Sequence, residues 1–262
     1  MMGSSSLPPY TDAPLLSLKH LKKYFGPVHA VDDVSLDIFA GEVVGLVGDN
    51  AAGKSTFLSL LTGYNMMDSG QVFYKGQPVR IKSPRSSRRD LKIEMIYQNL
   101  SLAPDLPLWQ NLFLGEEITT RSLFNNRRSM IAQTRKVLEE LNANAQPTHL
   151  IGTLSGGEQQ LVAIGRALIF SRDLIIMDEP TAAISVAKID EVLRLIRRLK
   201  NEGRSVLLVS HRLEDILAVA DRIVVFSHGK IKQIMDNHNI SLEVLVHAMF
   251  DRTQEGETKH VH

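Results

Sequence analysis

The sequence predicts an α/β fold in which a mostly parallel sheet is flanked by helices. Short apolar segments rich in β-branched residues recur along the chain, and stretches with helical periodicity separate several of them. The apolar segments are Val43–Val47, Ile93–Tyr97, Leu174–Met177, Val206–Val209 and Ile223–Phe226. Strands that alternate with helices in this way form parallel sheets with helices on both faces.

Three further strand signals lie in the N-terminal part of the chain. They are Leu15–Leu18, Val31–Ile38 and Val72–Tyr74, with turn residues at Gly26–Pro27 and Ser69–Gly70. We expect these strands to form an N-terminal antiparallel β subdomain beside the parallel sheet.

The strand character disappears between about Asn99 and Phe170, where the apolar spacing indicates helices. After this stretch, apolar residues from Ile189 to Leu199 recur at three- and four-residue spacing, as in an amphipathic helix that ends near Gly203. We therefore predict a core with a helical lobe inserted into it. The predicted parts are residues 15–98 and 171–250 for the core with its β subdomain, 99–170 for the helical lobe, and disordered ends at 1–14 and 251–262.

Composition argues against several classes of function. The formal net charge of the 262 residues is +1, which offers no electrostatic footprint for nucleic acid or an anionic membrane. The chain has no cysteine, which excludes disulfides and thiolate metal sites. A basic cluster is interpreted as a solvated helix and its flank: Arg80, Lys82, Arg85, Arg88, Arg89 and Lys92. No apolar run approaches the roughly 18 residues of a membrane span, so a membrane role requires a partner.

The most specific motif directly follows the apolar segment Val43–Val47. It fits the phosphate-binding pattern G-x-x-x-x-G-K-[ST]. In this pattern backbone N–H groups surround phosphate oxygens, Lys54 reaches the β and γ oxygens, and the Ser55 hydroxyl coordinates Mg²⁺. We therefore predict that a nucleoside triphosphate binds here. The predicted phosphate-binding residues are Gly48, Asp49, Asn50, Ala51, Ala52, Gly53, Lys54, Ser55 and Thr56.

A second motif places two adjacent carboxylates at the carboxyl end of a predicted strand. Asp178 and Glu179 follow the apolar segment Leu174–Met177, and ligands of open α/β sheets bind at such strand ends. We expect Asp178 to hold Mg²⁺ and Glu179 to orient or deprotonate the attacking water.

A third motif is the run Leu-Ser-Gly-Gly-Glu-Gln-Gln from Leu154 to Gln160. Its turn and helix N-terminus form an anion site without a lysine, so it can cap a phosphate but is a poor nucleotide site alone. The run resembles the LSGGQ signature of ATP-binding cassette (ABC) proteins. The resemblance implies that two cassettes pack head to tail as a homodimer. The turn Ser155, Gly156, Gly157 and Glu158 of one copy then covers the γ-phosphate held by Lys54 of the other.

The resemblance extends from about residue 15 to residue 250 and implies a P-loop NTPase fold with a RecA-like core. It also implies roles for three more residues. Gln98 matches the glutamine that reaches Mg²⁺ or the attacking water, so the implied metal contacts are Ser55, Gln98 and Asp178. His211 matches the switch histidine that contacts the γ-phosphate. Phe25, with Tyr24 as the neighbouring alternative, matches the aromatic residue that stacks on adenine.

The sequence departs from the family pattern at three places. Ala51 stands where the family usually has glycine in the phosphate loop. If this position requires a positive φ, its Cβ costs about 1 kcal/mol, and nucleotide affinity falls. The segment Ala182–Ser185 lacks the aspartate of the family's D-loop, and Glu158 replaces the signature glutamine. Because the other site residues are intact, we expect hydrolysis.

Three stretches are more similar to importers of monosaccharides than to other ABC branches: GDNAAGKST, MIYQNLSLAPDLPLWQNLFLGEE and SHRLEDI. The resemblance implies an ATP-hydrolysing subunit at the cytoplasmic face of the inner membrane. Its implied partners are membrane permease subunits and, indirectly, a substrate-binding protein. Alternatives at this stage are a soluble ABC ATPase, an ABC transporter for another substrate, and a P-loop kinase outside the family.

Overall fold

The computed structural model describes residues 13–120, 124–182 and 186–250. The disordered ends predicted for residues 1–14 and 251–262 therefore lie almost wholly outside the described residues. The strands are β1 (Leu16–Phe25), β2 (Val28–Ile38), β3 (Val43–Val47), β4 (Ser69–Tyr74), β5 (Gln77–Val79), β6 (Ile93–Ile96), β7 (Thr119–Thr120), β8 (Phe124–Asn125), β9 (Leu174–Asp178), β10 (Ser205–Val209), β11 (Arg222–Ser227) and β12 (Lys230–Asp236). The helices are α1 (Lys54–Thr62), α2 (Pro84–Asp90), α3 (Leu108–Phe113), α4 (Arg127–Glu140), α5 (Gly156–Ile169), α6 (Val186–Asn201), α7 (Leu213–Val219) and α8 (Leu242–Phe250), with a 3₁₀ helix at Ile151–Thr153.

The main sheet has the strand order β12-β11-β3-β10-β9-β6 and is parallel except for β12. This confirms the mostly parallel sheet, and each of the five segments predicted for it matches its strand within one residue at either end. The three N-terminal predictions find β1, β2 and β4 but are up to seven residues too short. The strands β3 and β10 are buried along their whole length, because helices cover both faces of the sheet. The sequence pattern missed β12, an antiparallel edge strand whose residues are largely solvent-accessible.

A second, antiparallel sheet has the order β2-β1-β4-β5 and packs its apolar face against α1. The predicted turn at Gly26–Pro27 joins β1 to β2. The turn predicted at Ser69–Gly70 is wrong, because both residues lie in β4. Gly70 has a φ of 115°, and a Cβ there would lie 2.8 Å from the carbonyl oxygen of His20. Glycine is therefore needed for a close strand approach rather than for a turn.

The helices α3, α4 and α5 surround a small apolar core that includes Leu108, Phe113 and Met130. The opposite side of α5 packs Ile164 and Leu168 against the main sheet, so this helix joins the two regions. One expectation for this stretch is wrong: β7 and β8 form a short antiparallel pair inside it. Strands of two residues are too short to produce an alternating pattern.

A buried arginine connects the helical region to the core. Arg172 donates from Nε to Glu94 at 3.2 Å, from a terminal nitrogen to Glu116 at 2.6 Å, and from the other to the carbonyl oxygen of Arg88 at 2.7 Å. Glu94 lies in β6 of the core, whereas Glu116 follows α3. Burial raises the pKa of Glu94, opposed by the neighbouring arginines. Removal of the guanidinium therefore takes a hydrogen-bonded cationic partner from two carboxylates.

We expect Arg172→Met to lower the free energy of unfolding by about 3–5 kcal/mol at pH 8, because a buried ion pair loses one partner. The loss should be smaller at pH 5, because burial raises the pKa of Glu94 and protonation removes the charge that lost its partner. Urea unfolding measures both values. Lys19→Ala is the control, since it breaks an exposed pair with Asp37 and should cost less than about 1 kcal/mol. An Arg172→Met loss equal to that of the control contradicts the prediction.

Candidate active site

The predicted phosphate loop lies between the end of β3 and the start of α1, and its two end glycines are sterically required. Gly48 has a φ of 154° and Gly53 a φ of 103°. A Cβ on Gly48 would lie 2.1 Å from the carbonyl oxygen of Phe226, and one on Gly53 would lie 2.2 Å from that of Ala30. Only glycine can bring the backbone this close to those carbonyl oxygens. The loop then leads directly into the N-terminus of α1, where helix N–H groups can bind an anion.

Lys54 is the first residue of α1 and lies over the loop. Its Nζ donates to the carbonyl oxygens of Gly48 at 2.6 Å and Asp49 at 3.0 Å. Partial burial lowers the pKa of Lys54, whereas the nearby carboxylates of Glu179 and Asp178 raise it. The ammonium group is thus positioned at the loop, beside the two acidic residues that the sequence pattern selects.

Ala51 has a φ of 66°, so the positive φ on which the predicted Cβ cost depends is present. A non-glycine residue in this region is strained by about 1–2 kcal/mol. The Ala51 side chain is exposed, so its Cβ fills no cavity that offsets the strain.

The turn between β11 and β12 supports the phosphate loop, and sequence reasoning missed it. The Gly229 N–H donates to the carbonyl oxygen of Ala52 at 2.8 Å, and the Asp32 N–H donates to the carbonyl oxygen of Gly229 at 2.7 Å. His228 and Gly229 also line the cleft. The available signal is Gly229 itself, which follows the predicted strand Ile223–Phe226. A turn glycine does not by itself indicate a distant contact.

Glu179 occupies a strained position at the end of β9. Its φ is 53°, and its N–H donates to the carbonyl oxygen of Val209 at 2.9 Å. The side chain is 9% exposed, and its Oε1 has no hydrogen-bond donor. Burial raises the pKa values of both Glu179 and Asp178. A buried carboxylate oxygen without a donor is a ready acceptor for a water molecule or a hydroxyl group.

His211 and Gln98 lie beside this carboxylate. The His211 N–H donates to Oε2 of Glu179 at 3.1 Å, and the imidazole Nε2 is 3.5 Å from Oε1. Gln98 follows β6 and lines the same cleft as Asp178 and Glu179. Three strand ends therefore deliver these four side chains to one place.

These residues line a cleft of about 570 Å³, a volume typical of small-molecule sites. Its lining residues are Phe25, Val28, His29, Ala30, Asp49, Asn50, Ala51, Ala52, Gly53, Lys54, Ser55, Thr56, Gln98, Asp178, Glu179, Val209, His211, His228 and Gly229. All predicted residues from Asp49 to Thr56 are present, whereas Gly48 is not among the lining residues and contacts Lys54 through its carbonyl oxygen. The cleft thus brings the phosphate loop from Asp49 to Thr56 together with both acidic residues.

The cleft favours Phe25 over Tyr24 as the base-stacking residue. The Phe25 ring is 47% exposed and lines the cleft. The Tyr24 hydroxyl instead donates to Asp32 at 3.2 Å, and its ring packs against His29 with centroids 4.3 Å apart. Tyr24 therefore has a structural role, and Phe25 remains the predicted stacking residue.

The Ser-Gly-Gly turn lies elsewhere, since none of the residues from Ser155 to Glu158 lines the cleft. Ser155 caps α5, and its N–H and Oγ–H both donate to Oε2 of Glu158, at 2.8 and 2.7 Å. The hydrogen bonds from Ser155, the side-chain one foremost, lower the pKa of Glu158. Within one chain the turn and the phosphate loop therefore belong to separate surfaces.

The side chains in the cleft fit a nucleotide-bound Mg²⁺ rather than a free metal ion. Ser55, Gln98 and Asp178 offer the oxygen ligands that a hard cation prefers. Within residues 13–120, 124–182 and 186–250, no three His, Asp or Glu side chains are grouped so that they could hold a metal ion alone. Phosphate oxygens and water would have to complete the coordination, as is usual for Mg²⁺.

Comparison with known proteins agrees with this geometry. Residues 31–182 match the sequence profile of the family described as ABC transporter. The xylose/arabinose import ATP-binding protein of Sulfolobus acidocaldarius is 44% identical over 218 residues, which cover 83% of this chain and 86% of that protein. A ribose import ATP-binding protein of Rubrobacter xylanophilus is 39% identical over 91% of this chain but only 48% of its own length. The chain thus spans about half the length of the ribose relative.

The fold is also that of a solved structure, a nucleotide-free ATP-binding cassette from an ABC transporter. The TM-score is 0.80 at 27% sequence identity, and the match covers 89% of this chain and 96% of that one. The α/β architecture predicted from the sequence is therefore confirmed.

The strain at Ala51 yields a stability prediction. Ala51→Gly should raise the free energy of unfolding by up to about 1 kcal/mol, because glycine adopts a positive φ without a Cβ penalty. Ala52→Gly is the matched control, because Ala52 is buried and does not have a positive φ. Glycine there should destabilise the fold by about 0.5–1 kcal/mol. Urea unfolding of both variants measures the difference. Destabilisation by Ala51→Gly contradicts the assignment of strain.

Proposed function

The chain belongs to the ABC transporter family, and we propose that it is the ATP-hydrolysing subunit that powers import of a monosaccharide through separate membrane subunits. Its ABC ATPase domain rules out the P-loop kinase alternative from outside the family. Its relatives are named as import proteins for xylose, arabinose and ribose. These names support a sugar as the transported substrate. These sugars define the substrate class that we propose.

One observation carries the hydrolytic part of the proposal. The cleft brings Lys54, Asp178, Glu179 and His211 together, whereas the turn at Ser155 lies outside it. The described part of one chain therefore places the phosphate loop with the acidic residues but does not place the Ser155 turn there as a cap for the γ-phosphate. We propose that a second copy, packed head to tail, supplies this cap through the N–H groups of its α5 N-terminus.

Each residue of the cleft then has a defined task. The loop N–H groups and Lys54 bind the phosphates, and Ser55, Gln98 and Asp178 would hold Mg²⁺, which neutralises charge on the β and γ oxygens when bound. Glu179 orients or deprotonates the attacking water through its Oε1, which accepts no hydrogen bond from the protein. His211, 58% exposed and 3.5 Å from Glu179, is available to contact the γ-phosphate. These residues accelerate hydrolysis by positioning the water and the phosphates and by stabilising the charge of the transition state.

Membrane attachment is proposed to occur through the permease subunits. Among the described helices, none combines the length and the apolar character needed to cross a bilayer. A cleft of about 360 Å³ lies where the core meets the segment Gln98–Glu117, and Tyr97, Leu100, Leu114 and Arg88 are among its lining residues. Leu114 is 44% exposed. We propose that this surface contacts the permease at the cytoplasmic face and transmits the motion of the helical lobe.

The D-loop departure remains a prediction. Ala182 ends a described stretch, and residues 183–185 lie outside the described residues. The family aspartate is absent from this segment, so communication between the two proposed sites must use other contacts. A substrate-binding protein that delivers the sugar to the permease completes the proposed assembly. Co-purification of a permease subunit with the tagged chain supports the importer, whereas recovery with only soluble proteins favours the non-transport alternative.

We expect Glu179→Gln to lower the rate of ATP hydrolysis by at least about a hundredfold, because the general base is lost, while ATP binding remains. Phosphate release and equilibrium binding of a fluorescent ATP analogue measure the two effects. Burial raises the pKa of Glu179 above its ordinary 4.5, so wild-type turnover should fall as the pH drops through this raised value and the carboxylate is protonated.

Glu191→Gln is the control, since Glu191 pairs with Lys188 on the surface. This variant should hydrolyse ATP at the wild-type rate. Hydrolysis by Glu179→Gln at the rate of this control removes Glu179 from the mechanism.

A further inference from the structure

A buried hydrogen bond that the proposed mechanism does not use joins the segment after Glu179, the proposed base, to the segment after His211. The Thr181 hydroxyl donates to Oδ2 of Asp215 at 2.7 Å. Both residues are 3% exposed. Asp215 also accepts from Nε of Arg212, whose side chain is 48% exposed. A carboxylate buried to this extent is retained only where its partners are fixed.

The two partners belong to the two segments that carry the reacting side chains. Thr181 lies two residues after Glu179, beyond Pro180 at the end of β9. Asp215 lies four residues after His211, in the first turn of α7. The bond therefore joins the chain behind the proposed base to the chain behind the proposed γ-phosphate contact, across a separation of 34 residues.

Glu179 takes part in hydrogen bonds both to the other segment and within its own. Its N–H donates to the carbonyl oxygen of Val209, and its carbonyl oxygen accepts from the N–H of Ala182 at 3.2 Å. Its Oε2 accepts from the N–H of His211. Glu179 itself has a positive φ, so the turn needs support from its surroundings to persist. Thr181 and Asp215 add a buried hydrogen bond between side chains of the two segments.

We propose that Thr181 and Asp215 are a positioning pair that fixes the His211 segment against Glu179 and so sets the rate of the hydrolytic step. This inference rests on the proposed ATPase function. Neither residue touches the nucleotide cleft, because neither is among its lining residues. Loss of the pair should therefore lower kcat without weakening ATP binding.

Thr181→Val tests the proposal, because it keeps the branched shape and removes the hydroxyl. We expect kcat to fall about tenfold or more, the effect of a small displacement of catalytic groups, while KM and the binding of the fluorescent ATP analogue stay within about twofold. Thr181→Ser keeps the donor and should restore kcat. Asp215→Ala should match Thr181→Val, whereas Asp215→Asn keeps an oxygen acceptor and should stay near wild type.

A cycle with His211→Ala separates positioning from general stability. If the pair acts through His211, adding Thr181→Val to His211→Ala should lower kcat little further. Wild-type kcat in Thr181→Val, equal loss in Thr181→Ser, or full multiplication of the two effects overturns the proposal. If Thr181→Val fails to fold, the comparison of Asp215→Ala with Asp215→Asn decides. If the wild-type protein itself does not hydrolyse ATP, the proposed function is refuted. This result is distinct from failure of the positioning pair, which is measured only as a difference between variants of an active protein.

Discussion

The whole site depends on the register of the parallel strands in the main sheet. Val209 of β10 pairs with Asp178 of β9 on one side and with Leu46 of β3 on the other. This register aligns the ends of three strands, which are followed by the phosphate loop, Glu179 and His211. A slip of one residue would turn every buried side chain of a strand to the opposite face. Both faces pack into apolar cores, so the slip would replace each side chain by one of a different shape and disrupt the close packing.

Most of the fold could be predicted because the information is local. Strands buried on both faces have continuous apolar sequences, and the phosphate loop has fixed residue types at fixed spacing. The missed features either lack an apolar pattern or depend on contacts between distant segments. The edge strand β12 is largely solvent-accessible, Gly70 serves a close strand approach, and the bond from Thr181 to Asp215 joins two ordinary residues. No spacing rule signals such a pair.

Two departures from the family pattern acquire a physical meaning in the structure. Ala51 holds a positive φ that glycine would adopt more easily. Glu158 caps α5 by accepting from the N–H and hydroxyl of Ser155, so a charged residue occupies donors that the proposed partner's γ-phosphate would share. Glu179 is a second strained position, since it holds a positive φ and its buried Oε1 has no hydrogen-bond donor. Such features concentrate where binding and chemistry require them.

The central claim is that each hydrolytic site combines the phosphate loop of one copy with the Ser155 turn of another. Mixing two inactive variants, Lys54→Ala and Ser155→Arg, tests it most directly through the rate of phosphate release. An equimolar mixture of exchanging dimers should regain about a quarter of wild-type activity, because half of the dimers hold one intact site of two. Activity no higher than the sum of the separate variants contradicts the claim.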